Sequence, residues 1–185
     1  MKREYLRYYD RYSARAPIRF LWDSLFARPT ANKHSLLNRM KDYYRLQGNP
    51  SILALHRQIH RCLYESATQW DSYDYGESYC YQSLDLIGIS GLRDTSARVE
   101  AMGLKSLLKD KTAIDVGCNM GFLALSVADA AARITGCDAN PHLIDIGKAA
   151  AAYLQITNVE LVASPFEDFA AQGPSDVVLS FANHS

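Results

Sequence analysis

Residues 114–122 read IDVGCNMGF, an apolar strand-like run that leads through a turn with two glycines into a further apolar segment. Glycine lets the backbone approach a ligand closely, and a helix that starts after such a turn presents free N–H groups and the positive end of its dipole. The stretch therefore predicts a strand, a ligand-binding turn and a helix. As a dinucleotide fingerprint, G-x-G-x-x-G, it fails at Asn119 and Phe122, which disfavours a nicotinamide-dependent oxidoreductase.

The chain around this stretch alternates short apolar runs with helical segments. Asp94-Thr95-Ser96 offers N-cap residues for a helix over about 97–108. Alternation of strands and helices predicts a parallel sheet with right-handed crossovers. The expected strands are 113–116, 134–137, 159–162 and 177–181, and the expected helices between them are 122–132 and 142–154.

The glycine turn resembles the first signature of class I S-adenosylmethionine-dependent methyltransferases, an acid two residues before G-x-G-x-G. Asp115, Gly117 and Gly121 match it, and Asn119 replaces the middle glycine, which is compatible with the turn because asparagine tolerates unusual backbone angles. The resemblance implies an α/β, Rossmann-like parallel sheet, its first four strands in the order 3-2-1-4. It also implies that the loop, Cys118 included, passes under the methionine part of S-adenosyl-L-methionine and that the acid helps to hold the amino group.

A second acid follows the next expected strand. Asp138 stands 21 positions after Gly117, where nucleotide-binding sheets of this kind place the partner of the ribose diol. We therefore expect Asp138, with its neighbour Ala139, at the cofactor site. The alternative role, a helix cap, suits Asn140 better because Asn140 directly precedes Pro141.

The third expected strand ends in Ser164-Pro165-Phe166. In the family this position commonly carries an acid that contacts the adenine amino group, so Ser164 is a departure from the pattern. The resemblance implies that Ser164 and Phe166 lie beside the adenine ring. Glu167 and Asp168 have the alternative role of capping a short helix.

Two further residues are candidates by position. Residues 79–98 resemble the lead-in of bacterial methyltransferases that have a helical N-terminal extension, and there an arginine can pair with the cofactor carboxylate. Arg93 is the candidate, with a solvated surface arginine as the alternative.

The fourth strand is followed by ANHS, which lacks the N/D-P-P-Y/F signature of enzymes that methylate exocyclic or amide nitrogens. His184 is a candidate general base, or simply a polar residue.

Charge divides the chain into two parts, although the formal net charge is zero. Residues 1–61 hold 13 Lys+Arg against 4 Asp+Glu, and 11 of the 12 tyrosines lie at or before Tyr81. We expect a basic, aromatic-rich helical segment over 1–70, a connector or cofactor lid over 71–96, and the cofactor-binding domain over 97–185. The basic helices 1–61 are a candidate RNA-binding surface, and a helical cap with solvated charges is the alternative.

The remaining composition argues for a reduced, cytoplasmic protein. The four cysteines show neither C-x-x-C pairing nor zinc-ribbon spacing, so no metal is expected, and no apolar run has the length of a membrane span or signal peptide.

Only four of the seven strands of a complete class I sheet can be read. Val177-Val178-Leu179 would form an apolar edge without a blunting residue, which predicts a fragment of a longer enzyme or self-association through strand 4.

The resemblance implies a methyltransferase whose methyl acceptor, a tRNA or other RNA, a saccharide or a small molecule, the sequence does not identify. A non-catalytic cofactor- or RNA-binding module derived from a methyltransferase is the alternative. Transfer of label from the cofactor to an acceptor distinguishes the two.

Overall fold

The computed structural model describes residues 50–69, 80–89, 91–169 and 173–181. The chain divides into two units, Met1–Asp71 and Ser72–Ser185. Several expectations fall outside the described residues. They concern the helices before residue 50, the basic surface up to that residue, the connector over 70–79, and His184.

Helix α1, Pro50–Gln69, is the described part of the first unit. It begins at a proline, a residue that suits the first helical turn because its missing N–H would have no helical partner there. The spacing of Leu55, Ile59 and Leu63 in the sequence predicts an apolar stripe on one helix face, and all three are buried. The same spacing predicts that His56 faces solvent on the opposite side, but His56 is 1% exposed, so this prediction is wrong.

The second unit contains short helices and one sheet. Its elements are a 3₁₀ turn (Asp85–Ile87), α2 (Thr95–Ala101), α3 (Leu104–Leu107), β1 (Thr112–Val116), α4 (Phe122–Ser126), β2 (Arg133–Asp138), α5 (Pro141–Leu154), β3 (Val159–Ala163), a 3₁₀ turn (Phe166–Asp168) and β4 (Val177–Ser180). The caps follow the sequence expectation, because Asp94 accepts from the Ala97 N–H and Asn140 accepts from the His142 N–H.

The four strands are parallel and lie in the order β3-β2-β1-β4, which confirms the predicted Rossmann-like sheet. Asp115 of β1 is level with Gly136 of β2 on one side and with Leu179 of β4 on the other. Thr112 fixes the β1–β4 pairing at its start, where its N–H and its hydroxyl both donate to an Asp176 carboxylate oxygen at 2.8 Å. These bonds lower the pKa of Asp176.

Two helices are shorter than the sequence predicted. The helix expected over 97–108 is interrupted because Gly103 takes a left-handed conformation with φ 59°, which separates α2 from α3. The helix expected over 122–132 ends at Ser126, whose hydroxyl donates to the Phe122 carbonyl at 2.7 Å. Such back-bonding competes with helical hydrogen bonding. Two carbonyls beyond α4, those of Ala128 and Ala131, accept instead from the Asn158 side chain.

The core lies on the sheet face that α2 to α5 cover. Ala113, Ile134 and Leu179 point to this face from three neighbouring strands and are each less than 5% exposed. Burial of these side chains against α4 stabilises the sheet through apolar contact. On β4, Val178 points the other way and is 63% exposed. An apolar run such as Val177-Val178-Leu179 is typical of a strand covered on both faces, but among the described residues β4 is covered on one face. Within those residues, no helix is both long and apolar enough to cross a bilayer.

Candidate functional site

The loop between β1 and α4 contains three left-handed residues in alternation. Gly117, Asn119 and Gly121 have φ values of 66°, 57° and 66°. This conformation costs little for glycine and more for residues with a Cβ, among which asparagine adopts it most readily. The Asn119 side-chain oxygen also accepts from the Met120 N–H at 3.0 Å, which offsets part of the strain. Asn119 therefore fills the middle glycine position without changing the turn.

Asp138 ties this loop to the end of β2. One carboxylate oxygen accepts from the Asn119 N–H at 2.8 Å and the other accepts from the Asn140 N–H at 3.0 Å. Asp138 is thus not the cap of α5, since Asn140 has that role. The carboxylate is held by backbone donors, and each oxygen keeps a further lone pair for hydroxyl donors.

Asp115 lies two residues before Gly117 and is 3% exposed. Its Oδ2 has no hydrogen-bond partner among the described residues. Burial and then the nearby Asp138 charge raise the pKa of Asp115 to about 7, and Arg98 acts in the opposite direction. A buried carboxylate without a partner is costly to ionise, so this atom fits a ligand that brings a cationic donor.

The arginine whose charge acts on Asp115 is Arg98 of α2, which the sequence analysis did not select. Its guanidinium carbon lies 5.7 Å from the centre of the Phe181 ring, a cation–π distance. Arg93 is exposed, and its backbone pairs with that of Gln82. Arg98 follows the cap residue of α2 by one turn, a position that carries no signal of function by itself.

Gln82 is a second residue that sequence reasoning missed. It is 5% exposed, and its side-chain oxygen accepts from the Leu123 N–H in the first turn of α4 at 3.4 Å. Gly91 lies so close to the backbone of Gln82 that a Cβ at Gly91 would be 2.2 Å from the Gln82 carbonyl carbon. Ser83 extends the connection to α2 by accepting from the Thr95 N–H at 2.9 Å. The lead-in segment is therefore fixed to the start of the helix that follows the glycine loop.

The expected adenine-side residues lie beside Asp138. The Ser164 N–H donates to the Asp138 carbonyl at 2.9 Å, and the Ser164 hydroxyl donates to the carbonyl of Pro165. Phe166 is 60% exposed in the 3₁₀ turn after β3, and Ala139 is exposed. These residues are thus brought together at the carboxyl ends of β2 and β3.

Cys118 has a structural place in the loop. Its side chain is 1% exposed and packs with Ile144 and Leu161, and burial raises the pKa of its thiol. Its N–H donates to the Cys137 carbonyl, and its own carbonyl accepts from the Gly121 N–H. Cys118 therefore stabilises the loop through its buried side chain and through backbone groups that are already hydrogen-bonded.

These residues fit the cofactor that the sequence resemblance implies. An unpartnered, buried Asp115 oxygen suits an ammonium group, and the backbone-held carboxylate of Asp138 suits a diol. Both acids lie at the carboxyl edge of a parallel sheet, where open α/β folds bind their ligands.

Residues 113–185 match the family model described as a methyltransferase domain. The resemblance to methyltransferases that the sequence suggested is confirmed over this segment.

Several similar solved structures are methyltransferases. They include protein arginine methyltransferase 10 of Arabidopsis thaliana, at 28% identity over 42% of this chain and 22% of that chain with a TM-score of 0.39. A dimethyladenosine transferase of Plasmodium falciparum is 16% identical over 46% of this chain and 31% of that chain, with a TM-score of 0.42. Magnesium protoporphyrin IX methyltransferase of Synechocystis PCC 6803, with bound SAH, is 20% identical over 46% and 39%, with a TM-score of 0.39. The chain spans between 22% and 39% of the length of these proteins.

Proposed function

We propose that this protein is an S-adenosylmethionine-dependent methyltransferase. The observation that carries the proposal is the pair of acids at one glycine loop: Asp138 is bonded to the loop backbone, and Asp115 lies buried near it without a partner among the described residues. The family match over residues 113–185 supports the same activity. When bound, the cofactor supplies a sulfonium-activated methyl group.

In this proposal, the residues of the chain bind the cofactor and orient it. Asp138 accepts from ribose hydroxyls while its bond to Asn119 keeps the carboxylate in place. Asp115 receives the ammonium group of the methionine part, and Arg98 balances the local negative charge. Ser164 and Phe166 border the adenine. Since the reactive methyl group is already activated, alignment of donor and acceptor accounts for most of what the protein must contribute.

The acceptor lies at the carboxyl edge of the sheet beyond β1 and β4 in this proposal. An RNA, a saccharide and a small molecule each remain acceptor classes, and the basic segment 1–61 favours RNA because its charge suits phosphates. His184 follows β4 in the sequence and is the proposed base where the acceptor must lose a proton.

Labelled S-adenosylmethionine, incubated with the full chain and with separate pools of cellular RNA, protein and small molecules, tests the proposal. We expect label in one pool, and less label with the Asp138→Ala variant. An Asp145→Ala variant is the matched control, since Asp145 is an exposed carboxylate on α5. Cofactor binding without transfer to any pool would favour the non-catalytic binding module instead. Absence of cofactor binding would refute both the methyltransferase and the cofactor-binding module.

A further inference from the structure

Asp115 is a buried acid next to the glycine loop. It is 3% exposed, and one carboxylate oxygen is completely buried without a hydrogen-bond partner among the described residues. Ionisation at such a place is costly unless a cation or donor reaches the oxygen. The neutral acid is therefore the favoured form of the free protein below about pH 7.

The groups that face Asp115 come from each neighbouring element. Asp138 at the end of β2 acts against ionisation and Arg98 of α2 acts in favour of it. The thiols of Cys118 and Cys137 are the other titratable groups that interact with it. Burial raises the pKa of both thiols, so neither titrates between about pH 5 and pH 8.

The strand neighbours contribute no charge of their own. Level with Asp115 are Gly136 on β2 and Leu179 on β4. Gly136 has no side chain, and Leu179 is apolar and 4% exposed. Among the groups of the described residues named above, Asp115 is therefore the one whose pKa, at about 7, lies close to neutral pH.

We propose that cofactor binding is coupled to the release of one proton from Asp115, which is protonated in the free protein and ionised against the cofactor's ammonium group in the complex. This inference rests on the proposed function and deepens it. An ammonium within contact distance favours the carboxylate and lowers its pKa. The proton displaced from Asp115 passes to solvent, and the ligand's own ammonium keeps its proton.

The coupling makes affinity depend on pH. Below the pKa of free Asp115, each pH unit gained raises the affinity by up to about tenfold, because one proton leaves for each ligand bound. The rise becomes shallow at about pH 7, where half of the free protein is already ionised. Measurements stay below about pH 7, since an α-amino group has a pKa of about 7.7–8.0 and would lose its own proton above that range.

S-adenosylhomocysteine is the probe, because its ammonium is its only cationic group. Titration calorimetry of the full chain in buffers of different ionisation enthalpy measures the protons released per ligand bound. We expect close to one proton at about pH 6 and about half a proton at about pH 7. Binding of S-adenosylhomocysteine without proton release at pH 6 would overturn the inference and leave the proposed function standing. No binding of either S-adenosylhomocysteine or S-adenosylmethionine would refute the proposed function itself.

Two controls assign the proton. 5′-Methylthioadenosine keeps the nucleoside and lacks the ammonium, so its binding should release no proton, and equal release with this ligand would overturn the inference. Asp115→Asn keeps the shape of the side chain and removes the ionisable group, and it should bind without proton release. Asp145→Asn, at an exposed carboxylate of α5, should release protons as the unaltered chain does.

A third variant keeps the inference testable if Asp115→Asn binds too weakly to measure. Arg98→Gln removes the cation that favours ionised Asp115, so the pKa of free Asp115 should rise further. Proton release at about pH 7 should then exceed the half proton expected of the unaltered chain. An unchanged release profile in this variant would contradict the assignment to Asp115.

Discussion

Asp138 and Asn119 are joined by a hydrogen bond of 2.8 Å between a carboxylate oxygen and a backbone N–H, which connects the end of β2 to the glycine loop after β1. The partners lie 19 positions apart in the sequence. The bond places the carboxylate at the level of the loop. A single side chain thus shapes the loop and is the proposed ligand of the ribose.

Replacement of Asp138 by alanine should weaken binding of S-adenosylhomocysteine by about 1–3 kcal/mol, because buried ligand hydroxyls lose a charged acceptor. The free energy of unfolding should fall as well, since the Asn119 and Asn140 N–H groups lose their acceptor. Calorimetry measures the first effect and urea unfolding the second. Unchanged affinity in the alanine variant would remove Asp138 from the ligand site.

Substitutions at Asn119 separate backbone conformation from side-chain bonding. Asn119→Ala should destabilise the protein by about 1–2 kcal/mol, because alanine keeps the left-handed strain and loses the bond to the Met120 N–H. Asn119→Gly loses the same bond but relieves the strain, so its stability should lie close to that of the unaltered chain. Equal unfolding free energies for the two variants would show that φ at this position is not what selects asparagine.

Gly147 in α5 should not tolerate a methyl group. On an exposed helix surface, alanine in place of glycine stabilises by about 1 kcal/mol. At Gly147 a Cβ would lie 2.3 Å from the Met120 carbonyl oxygen and 2.4 Å from a Leu161 methyl carbon. Gly147→Ala should therefore destabilise by about 1–3 kcal/mol, as overpacked cores do.

Thermal or urea unfolding of the Gly147→Ala variant measures this change. The matched control is Ala152→Gly on the exposed face of the same helix, which should cost about 1 kcal/mol through propensity alone. A Gly147→Ala protein more stable than the unaltered chain would show that α5 can move away from the glycine loop.

Asp115 should make the protein less stable as pH rises, whereas an ion-paired acid makes a protein more stable as pH rises. Its pKa is raised in the folded protein from 3.8 to about 7, so its protonated form favours folding at low pH and this contribution is lost as pH rises between those values. Relative to the unaltered chain, Asp115→Asn should gain roughly 2–4 kcal/mol of stability between about pH 4.5 and pH 8. Urea unfolding at both pH values measures the gain. A pH-independent difference would mean that Asp115 is ionised in the fold without cost.

The features that the sequence predicted are those with a local pattern. The parallel sheet followed from the alternation of apolar runs and helices, and its strand order followed from the resemblance to class I methyltransferases. The caps at Asp94 and Asn140 are visible as single residues next to helical segments. The glycine loop was visible because left-handed positions select glycine and asparagine. The segment 113–185 therefore carries most of its fold in short-range signals.

The features that the sequence did not predict depend on contacts between distant positions. Gln82 reaches Leu123 across 41 positions, and nothing near Gln82 indicates that partner. Arg98 acts on Asp115 because α2 packs over the sheet, whereas Arg93, the arginine that the resemblance implied, is exposed. Asn158 likewise donates to the Ala128 and Ala131 carbonyls across 30 and 27 positions, bonds that nothing near Asn158 in the sequence indicates.

The Leu161 side chain lies where the Cβ atoms of three glycines would be. A Cβ at Gly121, Gly136 or Gly147 would come within 3 Å of a Leu161 methyl carbon, although the three glycines belong to a loop, a strand and a helix. One side chain of β3 therefore restricts the residue type at all three positions. With valine or alanine at position 161, Gly121 would still be disfavoured for other residues by its φ of 66°, and Gly147 would still be restricted by the Met120 carbonyl oxygen at 2.3 Å, whereas the remaining close atoms at Gly136 belong to the Cys118 side chain. Sequence drift at the glycine loop is in this way limited by β3, the strand at the far edge from β4.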